Sequence, residues 1–222
     1  MISAPLALSL EVALLATFIA GTLGITVGAL LALRRFPGRD LLDVLITTPL
    51  VLPPTVLGYY VLVSIGRRSP LGILFERLTG SPIVFTRAAA VVAATIGALP
   101  LITKSARAAL EAVDPALGQA ARTLGAGPLR AFLTVQAPLA IRGLMAGLML
   151  GFARSLGDFG VTLMVAGDIP GETQTAALAV YDALQAQRDA EAAGLVAVLS
   201  AVVVLVLYLV NKLTLPGRQD GP

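Results

Sequence analysis

Arg154 and Asp158, in the stretch GFARSLGDFG, are an ionisable pair inside an otherwise apolar run. A spacing of four places both on one face of a helix. Charges in an apolar span are costly and face a partner, a cavity or a pathway. Two readings fit. One is an intrahelical pair near the membrane edge. The other is a gate element, in which Arg154, Ser155, Gly157, Asp158 and Phe159 line or brace a pathway. Other chemistry is excluded by residue type. The chain has 0 His and 0 Cys. That removes thiolate metal sites, haem ligation, disulfides and imidazole acid–base catalysis. No phosphate-binding Gly-x-x-x-x-Gly-Lys-Ser/Thr loop is present, since Lys104-Ser105 lacks the preceding glycines. No Gly-x-Ser-x-Gly element or catalytic dyad stands out. The sequence therefore predicts no catalytic residue, no metal and no cofactor, and any nucleotide must be bound by another chain.

The elements that carry this pair are hydrophobic. Of the 222 residues, 57% are hydrophobic and 13% charged, and the mean hydropathy is +0.89. Soluble domains carry about 25% charged residues, so lipid is the expected solvent. A helix needs about 20 apolar residues to cross the hydrocarbon core. Runs of that kind predict spans over approximately 10–33, 42–66, 85–108, 139–165 and 192–213, within a domain 8–215 followed by a tail 216–222. The first run is too long for a cleaved signal peptide and lacks a basic leader. Segment 173–186, with Asp182 midway, reads as a surface or re-entrant helix. Pro49, Pro53 and Pro54 predict a kink in the second span, structural or gating. Gly143, Gly147 and Gly151 form a small-residue ridge that allows close helix packing in lipid. It fits packing within one subunit or a seam between two.

Lys and Arg set the orientation. With five spans, one side receives Arg34, Arg35, Arg39, Lys104, Arg107, Arg122, Arg130, Arg142, Lys212 and Arg218; the other receives Arg67, Arg68, Arg77, Arg87 and Arg188. The richer side is assigned to the cytoplasm, with the N-terminus outside and the C-terminus inside. The net charge of +3 reports this orientation rather than a nucleic-acid partner.

The loop 109–138 then lies in the cytoplasm. Asp114-Pro115 is a helix start. Leu117, Ala120, Ala121 and Leu124 make one apolar face, and Gly125 is a left-handed stop. Pro128 begins a second short helix with Leu129, Phe132 and Leu133 on one face, and Pro138 marks the entry to the next span. Spacing alone fits an interfacial helix pair on headgroups or a docking element for a cytosolic partner.

The segment QAARTLGAGPLRAFLTVQAP, residues 119–138, resembles the EAA loop of binding-protein-dependent ABC importer permeases. Gln119-Ala120-Ala121 stand where that pattern has Glu-Ala-Ala, Gly125 and Pro138 match, and Val135 and Ala137 replace Ile and Leu. FPGRDLLDVLITTPLVLPPTVLGYYVLVSIGRRSPLG, EAVDPALGQAARTLGAGPLRAF and GFARSLGDFGVTLMVAGDIPGET resemble the molybdate branch of that family, with Asp158 where Glu is expected. The resemblance covers most of residues 10–215. It implies an all-α polytopic type I importer permease, MetI-like, in the bacterial inner membrane. It implies coupling to an ATPase through Gln119, Ala120, Ala121, Leu124, Gly125 and Pro138. It also implies a homodimer, a pair of cytosolic ATP-binding subunits and a periplasmic or extracytoplasmic oxyanion-binding protein as partners. The implied substrate is molybdate, with tungstate as a companion and sulfate or another oxyanion as the alternative. A self-contained channel or secondary transporter would instead need a midplane site built from inverted repeats, and no internal repeat is evident.

Overall fold

The computed structural model describes residues 3–214, all of whose regular elements are helical. The expected tail 216–222, with Arg218, and the end of the expected domain at 215 lie outside the described residues. In chain order the helices are α1 (Ser3–Leu33), α2 (Arg39–Val51), α3 (Pro54–Ile65), α4 (Pro70–Thr79), α5 (Arg87–Glu111), α6 (Pro115–Thr123) and α7 (Pro128–Ala131). A π turn (Phe132–Gln136) follows, then α8 (Ala137–Leu156), α9 (Gly160–Ala166), α10 (Ala176–Gln185) and α11 (Asp189–Thr214). By length and apolarity, 4 helices among the described residues are able to cross a membrane, or 5 when α2 and α3 count as one span.

The centre of the bundle is α1, α5 and α8, and small residues bring them together. A Cβ added at Gly24 of α1 would stand 3.0 Å from the Ile102 side chain, and one at Gly28 would stand 2.9 Å from the Thr103 carbonyl oxygen. The Gly143, Gly147 and Gly151 ridge of α8 meets Ala109, Ser105 and Ile102 in turn. These pairings run parallel for α1 with α5 and antiparallel for α8 with α5. In lipid such close approach supplies packing energy that the hydrophobic effect does not. The ridge is thus filled by α5 of the same chain, so the reading as a seam between subunits loses its support.

Two breaks and one continuation depart from the expected spans. The run 42–66 is not one kinked helix: α2 and α3 are bent by 116° across Leu52–Pro53. Pro53 and Pro54 carry no N–H, so the backbone ladder stops there. The run 139–165 also divides, because α8 ends at Leu156 and α9 begins at Gly160. At its other end this span starts earlier than expected. Helix α7, the π turn and α8 form one continuous 29-residue helix, Pro128–Leu156, rather than a second short helix followed by a separate span. The Ala137 N–H donates to the Phe132 carbonyl five residues back. This π register lets the chain pass Pro138, which lacks an N–H, without a break.

Candidate functional site

The break between α8 and α9 brings together most of the residues singled out in 154–159. Asp158 is 3% exposed. Its Oδ1 accepts from Arg154 Nη1 at 2.9 Å. Its Oδ2 accepts from the Thr162 backbone N–H at 3.1 Å and from Thr162 Oγ1 at 2.6 Å. The carboxylate therefore pairs an α8 cation and occupies the N-terminal turn of α9, where negative charge is favoured. Three charge-assisted hydrogen bonds offset the cost of burying it. The Arg154 guanidinium lies over Gly97 of α5, where an added Cβ would stand 3.3 Å from Cζ. Ser155 is buried, with its Oγ 3.4 Å from the Ala94 carbonyl oxygen. Phe159 packs its ring against Tyr181 of α10 at 5.2 Å. Gly157 is exposed. Both the cation of Arg154 and the first turn of α9 are thus engaged by Asp158, an arrangement suited to bracing a bend.

The two broken helices meet at their breaks. A Cβ at Gly160, the first residue of α9, would lie 2.7 Å from Pro54 Cβ, at the start of α3. One at Gly58 would lie 2.7 Å from Met164 Sδ. Helices α3 and α9 therefore run side by side from a common level. Neither Gly160 nor Pro54 was singled out by spacing as a pair, because 106 residues separate them and no local signal links them.

The opposite end of α9 enters a loop tied down by polar contacts. Thr173 Oγ1 accepts from the Ile169 N–H at 3.1 Å. Arg87 donates to the carbonyls of Glu172 and Gly171. Segment 173–186 contains α10, whose Ala176, Leu178, Ala179 and Ala183 are buried. Its first N–H donates to Ser9 Oγ of α1 at 2.7 Å. In the same loop, burial raises the Asp168 carboxyl above its ordinary pKa, opposed by a hydrogen bond from Gln174 and assisted by the charge of Asp182.

The segment 114–138 forms a second site at the other end of the bundle. Asp114 Oδ1 accepts from the Ala116 N–H at 2.8 Å and Pro115 opens α6. Gly125 has φ 88°. The Ala126 N–H bonds to the Ala121 carbonyl at 3.0 Å and the Gly125 N–H to the Arg122 carbonyl at 3.0 Å. This is the paired closure of a Schellman motif. Gly118 is held against Gln136 of the π turn. Leu117, Leu124, Leu129 and Leu133 stay exposed, Leu124 by 89%. Gln119 and Ala120 are exposed, Ala121 is half-buried, and Pro138 is exposed. The apolar face is thus presented outward, while Gly118 anchors the opposite side.

A third cluster escaped the sequence reading. Asp43 of α2 and Lys104, Arg107 and Glu111 of α5 form ion pairs with one another and with Arg39. The signal was available only in the spacing of Arg107 to Glu111, four apart; Arg39 and Asp43 share that spacing but pair with α5 instead of with each other.

Comparisons with known proteins agree over most of the chain. Residues 24–216 match the family described as binding-protein-dependent transport system inner membrane component. The chain is 42% identical to the molybdenum transport system permease protein ModB of Escherichia coli strain K12, over 92% of this chain and 90% of that protein. It is 40% identical to the ModB protein of Haemophilus influenzae over the same shares. It is 33% identical to the sulfate transport system permease protein CysT of Salmonella typhimurium, over 91% of this chain and 74% of that protein. Among solved structures, the fold resembles a chain of a bacterial ABC transporter that imports the acidic polysaccharide alginate. The TM-score is 0.74 at 13% identity, covering 96% of this chain and 79% of that one. It also resembles a chain of the MetNI methionine ABC transporter in an inward-facing conformation, with TM-score 0.66 and 21% identity over 95% and 97%.

Proposed function

The chain belongs to the family of binding-protein-dependent transport system inner membrane components, and from that premise we propose that it is the permease subunit of an ABC importer carrying molybdate across the inner membrane. The carrying observation is the identity of 42% with a molybdenum transport permease over 92% of the chain, against 33% with a sulfate permease. Tungstate, a tetrahedral dianion of the same class, is a companion substrate, and sulfate is the alternative that the lower identity disfavours.

In this reading the chain binds no nucleotide and catalyses no reaction. Two copies enclose the pathway, because five spans are too few to surround one. The N-terminus is outside and the C-terminus in the cytoplasm, as the distribution of Lys and Arg supports. Two cytosolic ATP-binding subunits engage α6 by the exposed Leu117 and Leu124 face. An extracytoplasmic oxyanion-binding protein delivers the anion to the other end. ATP binding and hydrolysis shift the populations of inward- and outward-open states, and α6 transmits the bias. The break at 154–160 is where that bias acts. Arg154, Ser155, Gly157, Asp158 and Phe159 brace the junction of α8 and α9, which touches α3 through Gly160 and Pro54. Arg154 serves as a strut rather than as an anion ligand, since the Asp158 that holds it is 3% exposed and fixed to the start of α9 through Thr162.

Uptake in cells lacking their own molybdate importer tests this reading. Expression of the chain with its ATP-binding and oxyanion-binding partners restores molybdate accumulation, and excess sulfate leaves it unchanged. Accumulation of sulfate in place of molybdate would reassign the substrate.

A further inference from the structure

The ion-pair ladder at the α1–α2–α5 end has no part in the mechanism above, yet it ties α2 to both α1 and α5. Lys104 Nζ donates to both carboxylate oxygens of Asp43, at 2.7 and 2.8 Å. Arg107 Nη1 donates to Asp43 Oδ2 at 3.0 Å. Arg107 Nε and Arg39 Nη2 converge on Glu111 Oε1 at 2.8 and 3.1 Å. Arg39 Nε donates to the Leu31 carbonyl at 2.8 Å, one of the end carbonyls of α1 that lack a helical partner. Helix α2 itself contains no buried residue. Its ion pairs and hydrogen bonds to α1 and α5 run through Arg39 and Asp43, Leu42, Ile46, Thr47 and Pro49 are half-buried, and its far end is the proline break at Leu52–Pro53.

We propose that Lys104 and Arg107 form an oxyanion site that Asp43 fills in this state, and that a tetrahedral oxyanion competing for the two cations frees α2 from α5. This rests on the importer reading. The Asp43 carboxylate presents two oxygens to one ammonium and one guanidinium. A tetrahedral dianion offers the same donors more oxygens and twice the charge. Lys104 is 41% exposed and Arg107 25% exposed, so solutes reach both. Lys104 and Asp43 line an open groove of about 420 Å³ together with Val44, Thr47, Thr48 and Leu52. The ladder holds three cations against two carboxylates, which favours an incoming anion. Glu111 fixes Arg107 independently of Asp43, so the site survives when Asp43 leaves. Because Pro53 and Pro54 have no N–H, α2 can swing at that point without breaking helix hydrogen bonds.

The test uses the whole importer, with its partner subunits, in lipid nanodiscs. The Cys-free chain accepts spin labels on cysteines introduced at Leu45 and Ala108, diluted with unlabelled chain so that only the within-chain distance is read. Millimolar sodium molybdate should lengthen that distance in the parent, whereas sodium chloride of equal ionic strength should not. Asp43→Asn should show the longer distance with no oxyanion present, and Lys104→Ala should lose the response to molybdate. A parent distance unmoved by saturating molybdate, or moved equally by chloride, overturns the site. If Asp43→Asn fails to assemble, the anion comparison on the parent decides alone. ATP hydrolysis measured on the same samples separates the two levels. Molybdate-stimulated hydrolysis with an unmoved α2 removes this proposal only. Absent stimulation with a sulfate-dependent movement of α2 removes the molybdate assignment and leaves the oxyanion site standing.

Discussion

Asp158 carries more than Arg154, although the two form one ion pair. Asp158 serves two helices, through Arg154 on one side and the Thr162 N–H and hydroxyl on the other. Arg154, 34% exposed, keeps access to solvent when its partner is removed. Hydrogen bonds to a charged group contribute about 1.5–3 kcal/mol each. Asp158→Ala should therefore abolish uptake and loosen the start of α9, while Arg154→Ala should lower uptake by a smaller factor at equal membrane abundance. Uptake rates normalised to immunoblotted protein measure this; a larger loss for Arg154→Ala would contradict it. Asp168 offers a pH-dependent counterpart. Its carboxyl is raised above the ordinary 3.8 chiefly by burial. The neutral form thus suits the folded loop, so its contribution is fully present below that ordinary value and is lost as pH rises through the raised one. Hydrogen exchange in 167–175, corrected for intrinsic rates, should show protection falling as pH rises towards neutral. Asp168→Asn should remove the pH dependence and keep the protection. The pair at 154 and 158 was legible from spacing alone. Thr162, four residues after Asp158, shares that spacing; what spacing did not show is that the Asp158 carboxylate takes the Thr162 N–H, because a helix continued through 157–159 would give that N–H to the Asp158 carbonyl.

At the scale of elements, local chemistry was readable and partners were not. The ends of α6 follow from Asp114, Pro115 and Gly125, each acting within a few residues. The continuation of α7 into α8 was hidden by Pro138, which reads as a boundary until the π turn is seen to accommodate it. The glycine ridge of α8 was visible as a spacing, but its partner face on α5, Ile102, Ser105 and Ala109, becomes a partner only through the fold. Gly147→Leu should accordingly strain the α5–α8 seam, where even a Cβ would stand 2.7 Å from Ser105 Cβ. Overpacking of this kind costs about 1–3 kcal/mol. Detergent-solubilised protein should lose thermal stability, read by the melting of monodisperse material; unchanged melting would place the ridge elsewhere. Gly125→Val acts differently. A left-handed residue costs about 1–2 kcal/mol for a side chain bearing Cβ, and a branched one is worse. The variant should insert in normal amounts and lose both uptake and co-purification of the ATP-binding subunit. Ala121→Arg should do the same by placing a charge within the docking face. Retention of the subunit by both variants would leave α6 as a surface helix pair.

For the whole molecule, composition and charge distribution were enough to read a multi-pass membrane protein, and the fold agrees with that of importer permeases. Assembly was less legible. Apolar surface is left open on α1, α3 and α4 as well as on α2 and α11: Phe18 is 75% exposed, Leu78 78%, Leu41 63% and Val204 65%. Such faces meet lipid or a second copy, and sequence does not distinguish those solvents because both are apolar. Single cysteines walked along α2 and α11 in this Cys-free chain should give crosslinked dimers along one stripe. Uniformly monomeric protein in native membranes, with its partners present, would contradict the enclosed pathway. If this chain is the conduit of an ATP-driven molybdate importer, passage of the anion is vectorial and strictly dependent on ATP. The chain would be reconstituted in proteoliposomes with its ATP-binding subunits inside and molybdate-loaded oxyanion-binding protein outside the orientation-sorted vesicle, so that ATP meets the cytoplasmic face. Molybdate should cross the membrane only when ATP, the ATP-binding subunits and the binding protein are all present. Passage without nucleotide, or none with the full set assembled, would contradict the account.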